Sequence, residues 1–273
     1  MNTHIYFMIR YSVYTRNQGW WQIGKNVSSD KYRNTLFSES RLLLHEKLFF
    51  DVTLPSLKEI SSTSKITALI FISEELPEPF KSNLLNAEAD YAWLEVVTTK
   101  SDKALNTQID RKVEEKLRQN EEDVCYATVR LDDDDALAPD FGVELTKYLK
   151  PEFSGMGVTF PKGIFAVYDG NQYRSFYHYK KANNAQGLAL ICTRTQALAG
   201  ESPLTVFGAG NHTSIDDRYP TVNDSSKIMF IRSEHEGSDL IASGRLRDKT
   251  KMKELSGLEY EELRQRFRSV KIF

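Results

Sequence analysis

The first 137 residues alternate between two apolar patterns, and that alternation limits the fold more than any single residue does. Apolar runs at His4 to Val13, Thr67 to Ile72, Tyr91 to Val97 and Val124 to Val129 are separated by segments whose apolar residues recur at helical spacing. Thr67-Ala68-Leu69-Ile70-Phe71-Ile72 is continuously apolar, the pattern of a strand covered on both faces. Leu42, Leu43, Leu44, Leu48, Phe49, Val52, Leu54 and Leu57 predict a helix capped by Ser38 or Ser40, which Pro55 either kinks or divides. A short helix through Phe80, Leu84 and Leu85 follows, and then a charged surface helix from Thr107 to Asn120. Strand and helix in strict turn predict an α/β fold with a mostly parallel, Rossmann-like sheet. Ligands of such sheets sit beyond the carboxyl ends of the strands.

After Pro139 the character changes. A helix through Val143, Leu145, Tyr148 and Leu149 gives way to short aromatic strands at 157–160, 163–168, 173–179 and 188–193. Asp169-Gly170-Asn171 is a hairpin-turn signal between two of them, so this half should be the more antiparallel. A charged region closes the chain, with a helix around Gly257 to Arg268 packing through Leu258, Tyr260, Leu263 and Phe267. We expect a single domain over 1–273: a first half to residue 137, a second from 138 to 244, and the charged helical region from 245.

Some classes are excluded early. A formal charge of −2 offers no general basic surface for nucleic acid. The N-terminus lacks the pattern of a secretory signal, and no apolar run nears the roughly 20 residues that cross a bilayer, so a cytoplasmic protein is expected. Cys125 and Cys192 each lie within an apolar run and read as buried thiols. The basic residues Arg245, Arg247, Lys249, Lys251, Lys253, Arg264, Arg266, Arg268 and Lys271 form a face suited to peripheral contact with an anionic membrane, diluted by Glu254, Glu259, Glu261 and Glu262.

Arg130-Leu131-Asp132-Asp133-Asp134-Asp135-Ala136-Leu137 places four carboxylates after the fourth apolar run. Adjacent like charges repel and raise one another's pKa, so something positive has to compensate them. A solvated turn, or Asp135 capping the next helix, is the bland reading. Hard oxygen ligands at a strand's carboxyl end suit Mg²⁺ or Mn²⁺.

This segment resembles the Asp-x-Asp-type motif of nucleotide-sugar-dependent glycosyltransferases with the GT-A fold, and more narrowly the bacterial rhamnosyltransferase group. Ile9-Arg10-Tyr11-Ser12, the segment Thr67 to Pro77 and Gly210-Asn211-His212 resemble the same group in order and spacing. The resemblance implies a GT-A-like fold and transfer of a sugar, rhamnose among the candidates, from a nucleotide-sugar donor to a glycan or lipid-linked glycan acceptor. It implies Mn²⁺ or Mg²⁺ as cofactor. Asp132 would lie near the donor ribose, Asp134 would hold the cation with Asp135 as a further ligand, and His212 would complete the metal or diphosphate site. Asp133 turns away if the backbone stays extended. Arg130 would pair with an aspartate or with the donor.

Further donor contacts are expected from Arg10, Tyr11 and Ser12 at the end of the first strand, and from Ser73 or Glu74 after the second. Trp20 and Trp21 could stack on a base or a sugar ring. An inverting transfer needs a base for the acceptor hydroxyl, and Asp216 and Asp217, ahead of Glu201, are the candidates. Two rivals share the acidic signature: a two-metal phosphoryl-transfer hydrolase, whose carboxylates usually come from separated segments, and a non-catalytic glycan-binding protein of the same fold.

Overall fold

The structure is a computed structural model and describes residues 2–16, 28–119, 122–236 and 252–272. Trp20 and Trp21, and the basic residues 245, 247, 249 and 251, lie outside them.

The predicted alternation is present. Strand β1 (Asn2–Tyr11) leads through helix α1 (Ser29–Leu36) and helix α2 (Glu39–Leu48) into a π-helical turn (Phe49–Thr53) and helix α3 (Leu54–Ser61). Pro55 falls in the first turn of α3, directly after the π turn, and α2, the π turn and α3 follow one another with no loop between them. Strand β2 (Ile66–Ser73), helix α4 (Phe80–Asp90), strand β3 (Leu94–Thr99), helix α5 (Leu105–Arg118) and strand β4 (Val124–Asp132) follow. β3 starts three residues later than its apolar pattern suggests, because Tyr91 and Trp93 pack in the turn before it.

β1 lies between β2 and β4, parallel to both, and β2 is parallel to β3. The first half thus supplies four adjacent parallel strands in the order β4-β1-β2-β3. Their two faces are covered differently. Ile5, Phe7, Ile9 and Tyr11 of β1 pack with α2, α3 and α4, whereas Tyr6 and Met8 pack with Ile109, Val113 and Leu117 of α5. Burial on both faces is why these strands read as nearly continuous apolar runs.

The second half extends this sheet and builds another. Two-residue strand β5 (Ala136–Leu137), helix α6 (Phe141–Thr146), β6 (Gly157–Thr159), β7 (Lys162–Tyr168), β8 (Tyr173–Lys180), β9 (Ala189–Thr193), helix α7 (Arg194–Leu198), β10 (Thr221–Asn223), β11 (Phe230–Glu234) and helix α8 (Gly257–Arg266) complete the described elements. β9 adds antiparallel to β4, giving a seven-stranded, mostly parallel sheet in the order β10-β6-β9-β4-β1-β2-β3. The second sheet, β5-β11-β7-β8, contains the antiparallel hairpin expected around Gly170, which adopts φ +101°. Asp169 Oδ1 accepts from the backbone N–H groups of Asn171 and Gln172 and closes that turn.

The acidic segment falls where the chain passes from one sheet to the other. β4 belongs to the first sheet and β5 to the second, so Asp133 to Asp135 form the crossover between them. Cys125 and Cys192 lie on the paired strands β4 and β9 as buried free thiols, one on each face of the large sheet. Burial pushes the Cys192 thiol up to about 11 and the Cys125 thiol up to about 12.

Candidate active site

The four aspartates leave the carboxyl end of β4, as the pattern predicts, and each meets a different partner. Asp132 is the register partner of Arg10 on β1, and parallel neighbours project to the same face. Its Oδ1 lies 3.8 Å from Arg10 Nη2 and 3.6 Å from Arg130 Nη2. Both guanidinium groups sit over the Phe207 ring, at 4.8 and 5.6 Å from its centroid. A cation over an aromatic face gains roughly 0.5–2 kcal/mol, which favours holding two like charges side by side.

Asp133 projects to the opposite face, toward α2, where both its oxygens lie 3.2 Å from His45 Nδ1. A carboxylate only accepts, so Nδ1 carries the proton and donates. Asp134 Oδ2 accepts from His235 Nε2 at 2.7 Å, just beyond the end of β11. His235 is wholly buried, while the Asp134 side chain keeps 14% of its surface exposed. The His45 and His235 rings meet edge to face, 5.3 Å between centroids and 83° between planes.

Asp135 turns inward. Its Oδ1 accepts from the Ser233 backbone N–H at 2.8 Å, and its Oδ2 from the Gln186 side-chain amide. Burial, together with the negative charges of Asp134 and Asp132, pushes the Asp135 carboxyl well above the ordinary range. For Asp134, burial also favours the neutral acid, but the His235 hydrogen bond and charge outweigh it and hold the carboxyl below its usual value. Neighbouring carboxylates in one turn are thereby driven in opposite directions. The compensating charge demanded by the sequence comes from Arg10, Arg130, His235 and the electrostatic influence of Arg232 on Asp132, Asp134 and Asp135.

The late loop reaches this site at one residue. Arg130 Nη1 donates to His212 Nδ1 at 3.0 Å, at the start of a short 3-10 segment capped by Asn211. Burial, then the nearby Arg130 charge, brings the His212 imidazole down to about 4. The neutral ring therefore accepts on Nδ1 and carries its proton on Nε2. It offers an N–H outward rather than a lone pair. Asp216 and Asp217 lie on the same segment with exposed side chains.

The other expected donor contacts sit deeper. The Tyr11 ring is buried against Phe49, 5.7 Å between centroids. Ser12 is buried at φ +46°, a conformation costly for a residue with a Cβ, and its hydroxyl accepts from Arg41 Nη1 at 2.9 Å. Ser73 is buried and accepts from the Glu75 backbone N–H. Of this set, Arg10 alone reaches the aspartates. Four further residues act on the turn, His45, His235, Gln186 and Arg232, and none of them is expected from the sequence. A histidine at helical spacing among leucines, and one closing a strand, carry no local mark of a carboxylate partner roughly a hundred residues away.

Among the described residues, no group of three or more His, Cys, Asp or Glu side chains is arranged to hold a metal ion, so Asp134, Asp135 and His212 do not converge as a three-ligand set. Nor is any described helix long and apolar enough to cross a membrane.

The architecture is α/β, and its central parallel strands end in an aspartate turn flanked by arginines, at the carboxyl end where ligands of such sheets sit. Residues 4–244 match the family described as "Putative rhamnosyl transferase", and the chain belongs to that family of glycosyltransferases. No protein with a curated description matches its sequence. Among solved structures, residues 1–349 of TarS from S. aureus align at 10% identity and TM-score 0.41, covering 87% of this chain and 62% of that one. The chain thus spans less than two thirds of the TarS structure. A mannosyltransferase from Pyrobaculum calidifontis, solved with GDP-Man and Mn²⁺, aligns at 12% identity and TM-score 0.42, covering 84% of this chain and 56% of that one.

Proposed function

We propose that the protein transfers a sugar, rhamnose in the first instance, from a nucleotide-sugar donor to a glycan acceptor, in a reaction assisted by Mn²⁺ or Mg²⁺. The observation that carries this reading is the aspartate turn at the end of β4, with Asp132 and Asp134 still open to a ligand and Arg10 and Arg130 beside them. Mg²⁺-type sites use one or two carboxylates and complete the shell with water and substrate phosphates. Asp134, charged and partly exposed, and Asp132 fit that pattern. Asp135 fits poorly, with a hydrogen bond to each oxygen, and His212 presents its N–H. When bound, such a cation supplies positive charge against the negative charge that develops on a departing diphosphate.

The chain's own groups act around that point. Arg10 and Arg130, fixed over Phe207, present donors to phosphate oxygens, and Arg130 sets the His212 ring so that Nε2–H can join them. His235 keeps Asp134 charged and oriented. Asp216 and Asp217, exposed near His212, are the groups we assign to take the acceptor's proton. The donor half then spans residues 1–137 and the acceptor half 138–244, in a cytoplasmic enzyme.

The test is a thermal-shift screen of nucleoside diphosphates with and without Mn²⁺. A ligand that binds only the native state raises the melting temperature, by about 2.7 kcal/mol of stability at a hundredfold excess over Kd. Stabilisation by one nucleotide, larger with Mn²⁺, supports the reading. The same small shift from every nucleotide, indifferent to metal, removes it.

A further inference from the structure

The continuous rod formed by α2, the π turn and α3 touches the acidic turn three times, always at alternate residues. His45 donates to Asp133, the Thr53 hydroxyl donates to the Asp135 carbonyl at 2.9 Å, and the Ser56 hydroxyl accepts from the Leu137 N–H at 3.4 Å. All of these partners are buried. The contacts fall on a side chain at 133, a carbonyl at 135 and an N–H at 137, so the rod holds the crossover from the turn into β5.

The register of the rod sets which of these contacts share a face. At about 100° per residue, the eight steps from His45 to Thr53 rotate about 80° beyond two full turns, so the two side chains would diverge. A π turn absorbs one extra residue, and the remaining seven steps fall within about 20° of two turns, which brings His45 and Thr53 to the same face. The π turn Phe49–Thr53 lies between them. Such a turn also loosens the backbone ladder, and here the Asp51 carbonyl accepts from the Lys271 N–H at 2.8 Å, while Lys271 Nζ pairs with Asp51 Oδ1 at 2.9 Å. The segment after α8 thus secures the irregular turn.

The geometry points to this rod as a splint that holds the acidic turn in its working shape, with His45 as a positioning residue. His45 reaches the ligand-facing side through another group: anchored by Asp133, its ring packs edge to face with His235, which holds Asp134. The inference rests on the transferase reading for its kinetic consequence, but not for its structural one.

The test uses the whole protein without added metal. ¹⁵N spectra of the imidazole nitrogens report the His235 tautomer directly, alongside melting temperature and donor kinetics. His45→Asn keeps a donor for Asp133 but removes the ring. It should shift or broaden the His235 signals and raise the donor KM about tenfold or more, the scale seen when an orienting partner is lost, with a smaller effect on kcat. Thr53→Val should act in the same direction and less strongly. Unchanged His235 signals and donor KM in His45→Asn and Thr53→Val, with only a lowered melting temperature, overturn the inference. If the parent protein transfers no sugar, the transferase reading falls, and the His235 spectrum alone decides the splint.

Discussion

Besides His45 of α2, two regions bring a histidine to the aspartate turn, and they do so with opposite hydrogen-bond polarity. On the late loop, His212 is half-buried and accepts from a guanidinium, so it stays neutral and points its N–H outward. At the end of β11, His235 is fully buried and donates to a carboxylate, so it sustains the charge on Asp134. The same side chain in the same neighbourhood is set to two different tasks by its first partner. Family resemblance picks out His212 because a glycine-rich loop precedes it; the tighter bond to the turn belongs to His235.

The contrast is sharpest at Asp134. Asp134→Ala removes the open carboxylate and leaves His235 buried without its acceptor. Transfer should fall by about 10²–10³-fold or more, the usual scale for losing a group that meets transition-state charge. A variant that keeps a tenth of the parent kcat breaks the assignment. Next comes stability under denaturant. His235→Ala removes a fully buried ring together with the donor that holds Asp134 and should cost about 2–5 kcal/mol, whereas His212→Ala, at a half-exposed site, should stay within about 1 kcal/mol of the parent. Equal losses would show that the two histidines are not distinguished as described.

A third difference is in pH dependence. The folded His212 imidazole titrates near 4, below its unfolded value of 6.5, so the unfolded chain takes up a proton first as pH falls. Stability supplied by the neutral ring is complete above about pH 6.5 and is lost progressively toward pH 4. His4, half-buried at the other end of β1 and also lowered to about 4, adds a drop of the same sign. Melting curves of His212→Asn should therefore decline less between pH 6.5 and 4.5 than those of the parent. The smallest effect is expected from Arg130→Lys. An ammonium cannot reproduce the fork that reaches both His212 and Asp132, and donor KM should rise about three- to tenfold with little change in fold.

How far the sequence carried the reading depends on the range of the interactions. β1, β2 and β4, the helix around Ile109 and Val113, and the hairpin at Gly170 are legible because local periodicity and turn chemistry specify them. β5 and β10 are too short to carry a period, and β11 is recognised only once β5 and β7 pair with it. At the site, the acidic turn is legible because its four charges are consecutive, whereas Asp133 lies past the end of β4, where strand alternation no longer governs its direction. The roles within the turn were not legible. Asp135 differs from Asp134 through Gln186 and the Ser233 backbone, and Asp133 is satisfied by a helix nearly ninety residues earlier.

The two thiols give the large sheet an internal pair of reporters. Cys125 is shielded by the layer that contains the splint, and Cys192 by the layer that contains α5, although both ride on neighbouring strands. Their alkylation by a small reagent therefore times two separate events, the lifting of one helical blanket and of the other. A ligand that tightens the aspartate end would slow these events unequally, and the chain can reveal which layer breathes first without any label being introduced.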